Sequence, residues 1–241
     1  MSTITTMSRL RIMAGLCMLA FSLPAAAARH MEDDPLLFML RADELEIHDA
    51  DENPLSWDIE AWLGKDLNKF RLRTEGERSD QGTANAETQA LYSRAVAPCW
   101  DLQFGLRRDS RPAPTRNWAV IGWRGLAPYW FDIDANLFLG ENGRSALRLE
   151  AEYEILVTQR LTLSPDIEFN LYGKDDRESG IGSGLSVIET GLRLSYEIGP
   201  EFAPYIGFDW ERSYGKTADF AKASGEESAD NVWVAGLRFW F

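Results

Sequence analysis

Side chains able to hold a metal ion gather near the start of this sequence. His30 and Met31 stand together in the run RHMEDDP, Met39 follows, and Glu44, Glu46 and His48 recur at every second position. His30 and His48 are the two histidines of the chain. An imidazole with a thioether suits a soft transition-metal ion, and an imidazole with carboxylates a harder one. Period-two spacing puts Glu44, Glu46 and His48 on one face of an extended chain. That face is a candidate imidazole-carboxylate site near one rim, and it reads equally as a solvated rim histidine. His30 and Met31 are either a weak, exchangeable site or ordinary members of an acidic lead.

A second group of candidates is acidic. Glu150, Glu152 and Glu154 share a strand face with Arg148, and Asp132 and Asp134 alternate on the strand before. Acidic rows in a wet lumen concentrate cations, which reads as a cation path. The same residues read as a charge ladder bridging to Arg71, Arg73, Arg107, Arg193 and Arg238. Mixed signs neutralise a path, which favours the ladder for most of them. No enzyme is expected. A Ser-His hydrolase needs an imidazole beside a nucleophilic serine, and no such partner is identifiable for His48. Of the two cysteines, Cys17 falls in the expected signal peptide; Cys99 lacks an evident activating base and, left alone, makes no internal disulfide. Gly180, Gly182 and Gly184 precede a strand rather than a helix, so they form no phosphate loop. A formal net charge of −13 over 241 residues repels nucleic acid.

The elements that would position these groups are strands. In Asn231–Phe241 (NVWVAGLRFWF), Trp233, Ala235, Leu237, Phe239 and Phe241 alternate with Val234, Gly236, Arg238 and Trp240. Period two means a strand, and an exposed aromatic edge strand in a soluble protein aggregates. A closed barrel in lipid has no edge. Twelve such segments run from Leu37 to Phe241, most of them apolar on one face and charged on the other; the first is the least regular, the fourth is weakly patterned, and the sixth, about Asn117 to Arg124, is aromatic on both faces. The expected fold is all-β: a twelve-stranded antiparallel transmembrane outer-membrane β-barrel over residues 37–241. A soluble periplasmic β-sandwich is the rival. Short connections are expected at one end, near residues 64–68, 95–98, 125–128, 157–160 and 199–201, and mostly longer ones at the other, near 49–53, 78–85, 109–115, 173–184 and the polar stretch 214–230, with 140–144 a short exception, as bacterial barrels have. Trp57, Trp100, Tyr129, Trp130, Tyr172, Tyr205 and Trp240 are candidates for interface girdles, with some of them facing inward instead. Before the barrel, Arg9 and Arg11, an apolar run from Ile12 to Leu23 and small residues to Ala28 read as a cleaved secretory signal peptide, 1–28. Residues 29–36 read as a short acidic periplasmic lead.

Several runs resemble the copper resistance protein B family of bacterial outer-membrane proteins. They include Phe70–Glu77 (FRLRTEGE), Ala90–Arg94 (ALYSR), Leu126–Phe131 (LAPYWF), Ala146–Tyr153 (ALRLEAEY) and Asn170–Ser186 (NLYGKDDRESGIGSGLS). Glu201–Tyr205 (EFAPY), Thr217–Phe220 (TADF) and Trp233–Phe241 (WVAGLRFWF) complete them. The resemblance covers about Leu37 to the end. It implies a barrel in the outer membrane of a Gram-negative cell, reached through a Sec-type signal. It also implies copper, bound or passed across that membrane, and a periplasmic multicopper oxidase as an expected partner. A docking barrel for that oxidase, or a general small-solute pore, is the alternative. Family members often carry a Met- and His-rich lead, whereas here only His30 and Met31 stand before Glu32, Asp33 and Asp34.

Overall fold

The computed structural model describes residues 34–50, 53–79, 82–225 and 227–241. The expected signal peptide, His30 and Met31 lie outside the described residues. Twelve strands follow one another: β1 Leu37–His48, β2 Leu55–Gly64, β3 Asn68–Ser79, β4 Gly82–Ala97, β5 Trp100–Arg111 and β6 Arg116–Ala127. Then come β7 Phe131–Gly140, β8 Ser145–Tyr153, β9 Leu161–Tyr172, β10 Gly184–Tyr196, β11 Phe202–Ser213 and β12 Ala229–Trp240. β8 resumes beyond Glu154 as the short piece Ile155–Leu156, which pairs with the start of β9.

Each strand pairs antiparallel with the next. β12 then pairs with β1, so the sheet closes on itself. The seam includes the terminal residue: Phe241 donates to Leu40 at 2.8 Å and accepts from it at 2.9 Å. Closure explains how an aromatic strand can end the chain, since its backbone groups face β1 rather than water.

The distribution of polarity is the reverse of a soluble core. Glu46, Glu60, Gln89, Gln103, Asn136 and Arg193 are among the buried side chains inside. Phe70, Phe104, Trp123, Ile206 and Trp233 are exposed outside. A sandwich would bury that apolar face between its sheets, whereas a barrel presents it to lipid. One apolar cluster does lie inside, where Leu91, Trp118, Val120, Phe138 and Ala146 pack together. The Arg107 and Arg148 guanidinium carbons lie 4.5 and 5.7 Å from the centre of its Phe138 ring.

Connections are short at the end holding the strand-joining residues 65–67, 98–99, 128–130, 157–160 and 197–201. At the other end, residues 173–183 and 214–228 form the long loops. Two details differ from the sequence reading. The stretch 78–85 holds the ends of two paired strands: β3 runs to Ser79, β4 starts at Gly82, and Arg78 lies opposite Thr83. The polar stretch 214–230 holds a helix, α1 Gly215–Ser224. Of the girdle candidates, Tyr172 and Tyr205 are among those that point inward: Tyr172 packs on the apolar cluster, and the Tyr205 hydroxyl donates to Glu46 at 2.8 Å. Gly236 makes room for Tyr205, since a Cβ there would lie 2.6 Å from the phenol ring.

Candidate functional site in the barrel lumen

A cavity of about 900 Å³ occupies the lumen toward the long-loop end. Its walls include Glu44, Glu46 and His48 of β1, Arg193 of β10 and Asp209 of β11. Arg193 is the hub of this wall. Its guanidinium reaches Glu46 at 2.7 Å, Glu44 and Asp166 at 3.0 Å, and Asp209 at 3.3 Å. Five donors in a rigid fork allow one Arg to serve several carboxylates. Both β1 glutamates of the candidate metal face are therefore held by Arg193. The second oxygen of Glu46 lies 3.5 Å from His48 Nε2, and that nitrogen has no hydrogen bond to a described residue. Met39 is not brought to this group. It pairs with Trp62 toward the short-turn end, beyond the bulge at residues 42–44.

The acidic candidates do meet. Asp132 lies opposite Glu152, and Asp134 opposite Glu150. Arg238 reaches Glu152 at 3.4 Å and Glu154 at 3.7 Å, while Arg73 reaches Asp134 at 3.8 Å. The bridging ladder read from the sequence is thus present. It is also longer than the sequence suggested. Glu150 faces Glu168, Glu168 faces Glu189, Glu189 faces Glu211 and Glu211 faces Asp230. One carboxylate on each of six consecutive strands makes a row, rising from the lower part of β7 to the long-loop end of β12. Like charges directly opposite one another destabilise a sheet. Arg148 compensates Glu168 at 3.3 Å. Among the described residues no ion pair reaches Glu189, Glu211 or Asp230. Strand register was the missing information: each residue sits on a charged face legible by alternation, but alternation does not say which faces its neighbour. Among the described residues no three His, Cys, Asp or Glu side chains converge as a metal site.

Below the cavity the lumen is filled. Glu60 bridges Arg71 and Arg124, the latter at 2.9 Å. Arg71 continues to Asp101 at 3.4 Å, which accepts from Ser93 at 2.9 Å. Gln89, Gln103 and Asn136 are buried beside them. The gap they leave is about 10 Å³, room for one water at most.

Above the cavity, α1 and the loop 173–183 cover part of the mouth. Thr217 Oγ1 accepts from Gly182 N–H at 2.9 Å and shares a hydrogen bond with Ser186 at 2.7 Å. Gly182 permits this approach, because a Cβ there would lie 2.6 Å from the Thr217 nitrogen. The Lys216 ammonium donates to Asp175 at 2.6 Å, and Ser183 N–H donates to it at 2.8 Å. The Lys216 hydrogen bond, with those from Ser183, holds the Asp175 carboxyl well below its ordinary range. A depressed carboxyl keeps its contact above the unfolded pKa of about 3.9 and loses it as pH falls through the folded value. Amide exchange of loop 173–183, relative to the intrinsic rate at each pH, should therefore stay unchanged down to about pH 4. Asp175→Asn should speed it at neutral pH, measured by hydrogen-exchange mass spectrometry. Equal exchange in the variant would refute a latch at Asp175.

Residues 36–241 match the family model described as "Copper resistance protein B precursor (CopB)". The chain is 49% identical to "Copper resistance protein B homolog" of Pseudomonas syringae pv. tomato, over 83% of this chain and 68% of that protein. It is 46% identical to "Copper resistance protein B" of Escherichia coli, over 88% of this chain and 72% of that protein. Among solved structures, the NanC porin superposes with a TM-score of 0.54 at 11% identity, covering 84% of this chain and 99% of that one. That likeness concerns the fold. With the closed barrel, these matches identify the chain as a member of the copper resistance protein B family, outer-membrane β-barrels with a role in copper resistance.

Proposed function

We propose that this chain serves copper resistance by capturing copper ions in its lumen at the outer membrane of a Gram-negative cell, after removal of residues 1–28. The observation that carries this reading is the carboxylate row from Asp230 at the mouth to Asp134 inside, with Glu189, Glu211 and Asp230 free of ion pairs to described residues. Carboxylates with one imidazole suit Cu(II), and His48 opens on the same cavity. Passage across the membrane would continue along Glu150, Glu152, Asp132 and Asp134, through the filled layer. His30 and Met31 would add a thioether-imidazole site suited to Cu(I) ahead of the barrel.

Copper binding by the full-length, detergent-folded protein tests this, with Cu(I) and Cu(II) measured separately. His48→Ala, or Glu189→Gln with Glu211→Gln, is expected to weaken Cu(II) binding by about tenfold or more. Loss confined to His30→Ala/Met31→Ala would move the site to the lead. Absence of copper binding in every form would overturn capture. It would favour a second reading suggested by the filled lumen: a non-conducting barrel that holds a periplasmic multicopper oxidase at the membrane. A filled lumen does not suit a general small-solute pore.

A further inference from the structure

On the outer wall the strand charges are all of one sign. Among the described strands, every Asp and Glu in regular register takes a lumen-side position. The outward-facing charges are Arg78 of β3, Arg94 of β4, Arg108 of β5 and Arg212 of β11, all exposed. Register fixes their side. Arg78 lies opposite Leu55, Arg108 opposite Asn117, and Arg212 opposite Ile188. No ion pair joins these four to a described residue. Three of them, Arg78, Arg108 and Arg212, stand at the long-loop edge of the apolar wall, and Arg94 stands at the opposite edge.

The patch around Arg212 is built in layers. Phe208 packs edge-on against Trp210 at 4.4 Å and against Trp233 at 4.8 Å between ring centres. Trp210 is 44% and Trp233 60% exposed. Arg212 sits directly above them and stacks over Tyr214 at 5.6 Å. Amphipathic aromatics mark the level of lipid headgroups. A guanidinium just beyond them meets the headgroup itself, and it pairs with phosphate in a bidentate fork.

From this we propose that Arg78, Arg108 and Arg212 bind the phosphate groups of anionic lipids in the leaflet on the long-loop side. The acidic lumen and the basic outer edge then divide two tasks, cations inside and anionic lipid outside. The apolar wall already faces lipid, so the three arginines extend an existing interface rather than start a new one.

The test uses the full-length protein folded in a non-ionic detergent, titrated with phosphatidylglycerol or phosphatidylcholine. Retained lipid is read by native mass spectrometry and the unfolding midpoint by circular dichroism. Phosphatidylglycerol should be retained preferentially and raise the midpoint. In Arg78→Gln/Arg108→Gln/Arg212→Gln its affinity should fall about fivefold per Arg removed. High salt should abolish the preference in the unaltered protein, because exposed charges are screened. That measurement stands even if the triple variant folds poorly. Equal retention of both lipids, a salt-insensitive preference, or unchanged retention by a folded triple variant would overturn the proposal.

Discussion

Arg193→Ala is expected to destabilise the barrel by about 3–5 kcal/mol, the usual cost of removing one partner from a buried charge cluster. Arg193 is 8% exposed and holds Glu44, Glu46, Asp166 and Asp209 from strands β1, β9 and β11. Its loss leaves four carboxylates facing one another without their cation. Glu46, 1% exposed, suffers most, keeping only Tyr205 and His48 near its oxygens. Hydrophobic replacement of a whole buried pair is often tolerated. Arg193→Met/Glu46→Met should therefore be more stable than Arg193→Ala, although it removes more native contacts. Urea unfolding of the detergent-folded barrel, followed by tryptophan fluorescence, measures both. A change below about 0.5 kcal/mol for Arg193→Ala, the size of ordinary surface substitutions, would mean that water already screens the hub. The same variant separates stability from ligand binding: freeing Glu44 and Glu46 beside His48 should strengthen Cu(II) binding as the fold weakens.

The hub also marks where sequence reading stopped. Alternation alone assigned Glu44, Glu46 and His48 to one face, and the lumen does receive all three. Alternation in β1 carries no information about β10, and Arg193 is 147 residues from Glu46. The strands themselves were legible because lipid on one side and charge on the other force a strict period of two. Where the demand on one face relaxes, the reading slips. β3 runs to Ser79 and β4 starts at Gly82, although the polar stretch 78–85 reads as a loop. Phe138 turns inward on the face of Asp132, Asp134 and Asn136 and so breaks the division of apolar from polar, joining Trp118 of the strand that reads as aromatic on both faces. Helix α1 is weakly amphipathic and docks through Thr217 rather than an apolar stripe. Tyr205 looked like a girdle residue because its position near a strand end is shared by many that are. Alternation puts it on the face of Asp209 and Glu211, and Gly236 on the neighbouring strand gives the ring its space there.

Opening the filled layer should have the largest effect on transport. The protein as it stands is expected to show no resolved conductance steps in planar bilayers, because Glu60, Arg71 and Arg124 span the lumen beneath the cavity. Eight strands enclose just enough room for side chains. Twelve enclose more, and here long charged residues fill the difference. Glu60→Ala/Arg71→Ala/Arg124→Ala should produce stable open-channel steps. All three must go together. Arg71→Ala alone leaves Glu60 bound to Arg124, and Glu60→Ala alone leaves two buried cations with fewer counter-charges, a cost to the fold rather than a route through it. Gel mobility before and after heating confirms that the triple variant is folded. Conductance by the unaltered protein equal to the variant's would show that the layer is not a barrier. The cellular consequence follows from which role copper plays. If resistance depends on holding copper in the upper cavity, the open variant retains Cu(II) binding but loses resistance, because bound ions now leak inward past Asp134. If resistance depends on passage, the filled layer is the slow step, and the same variant speeds copper flux into vesicles without weakening resistance. The two roles thus assign opposite phenotypes to one folded protein.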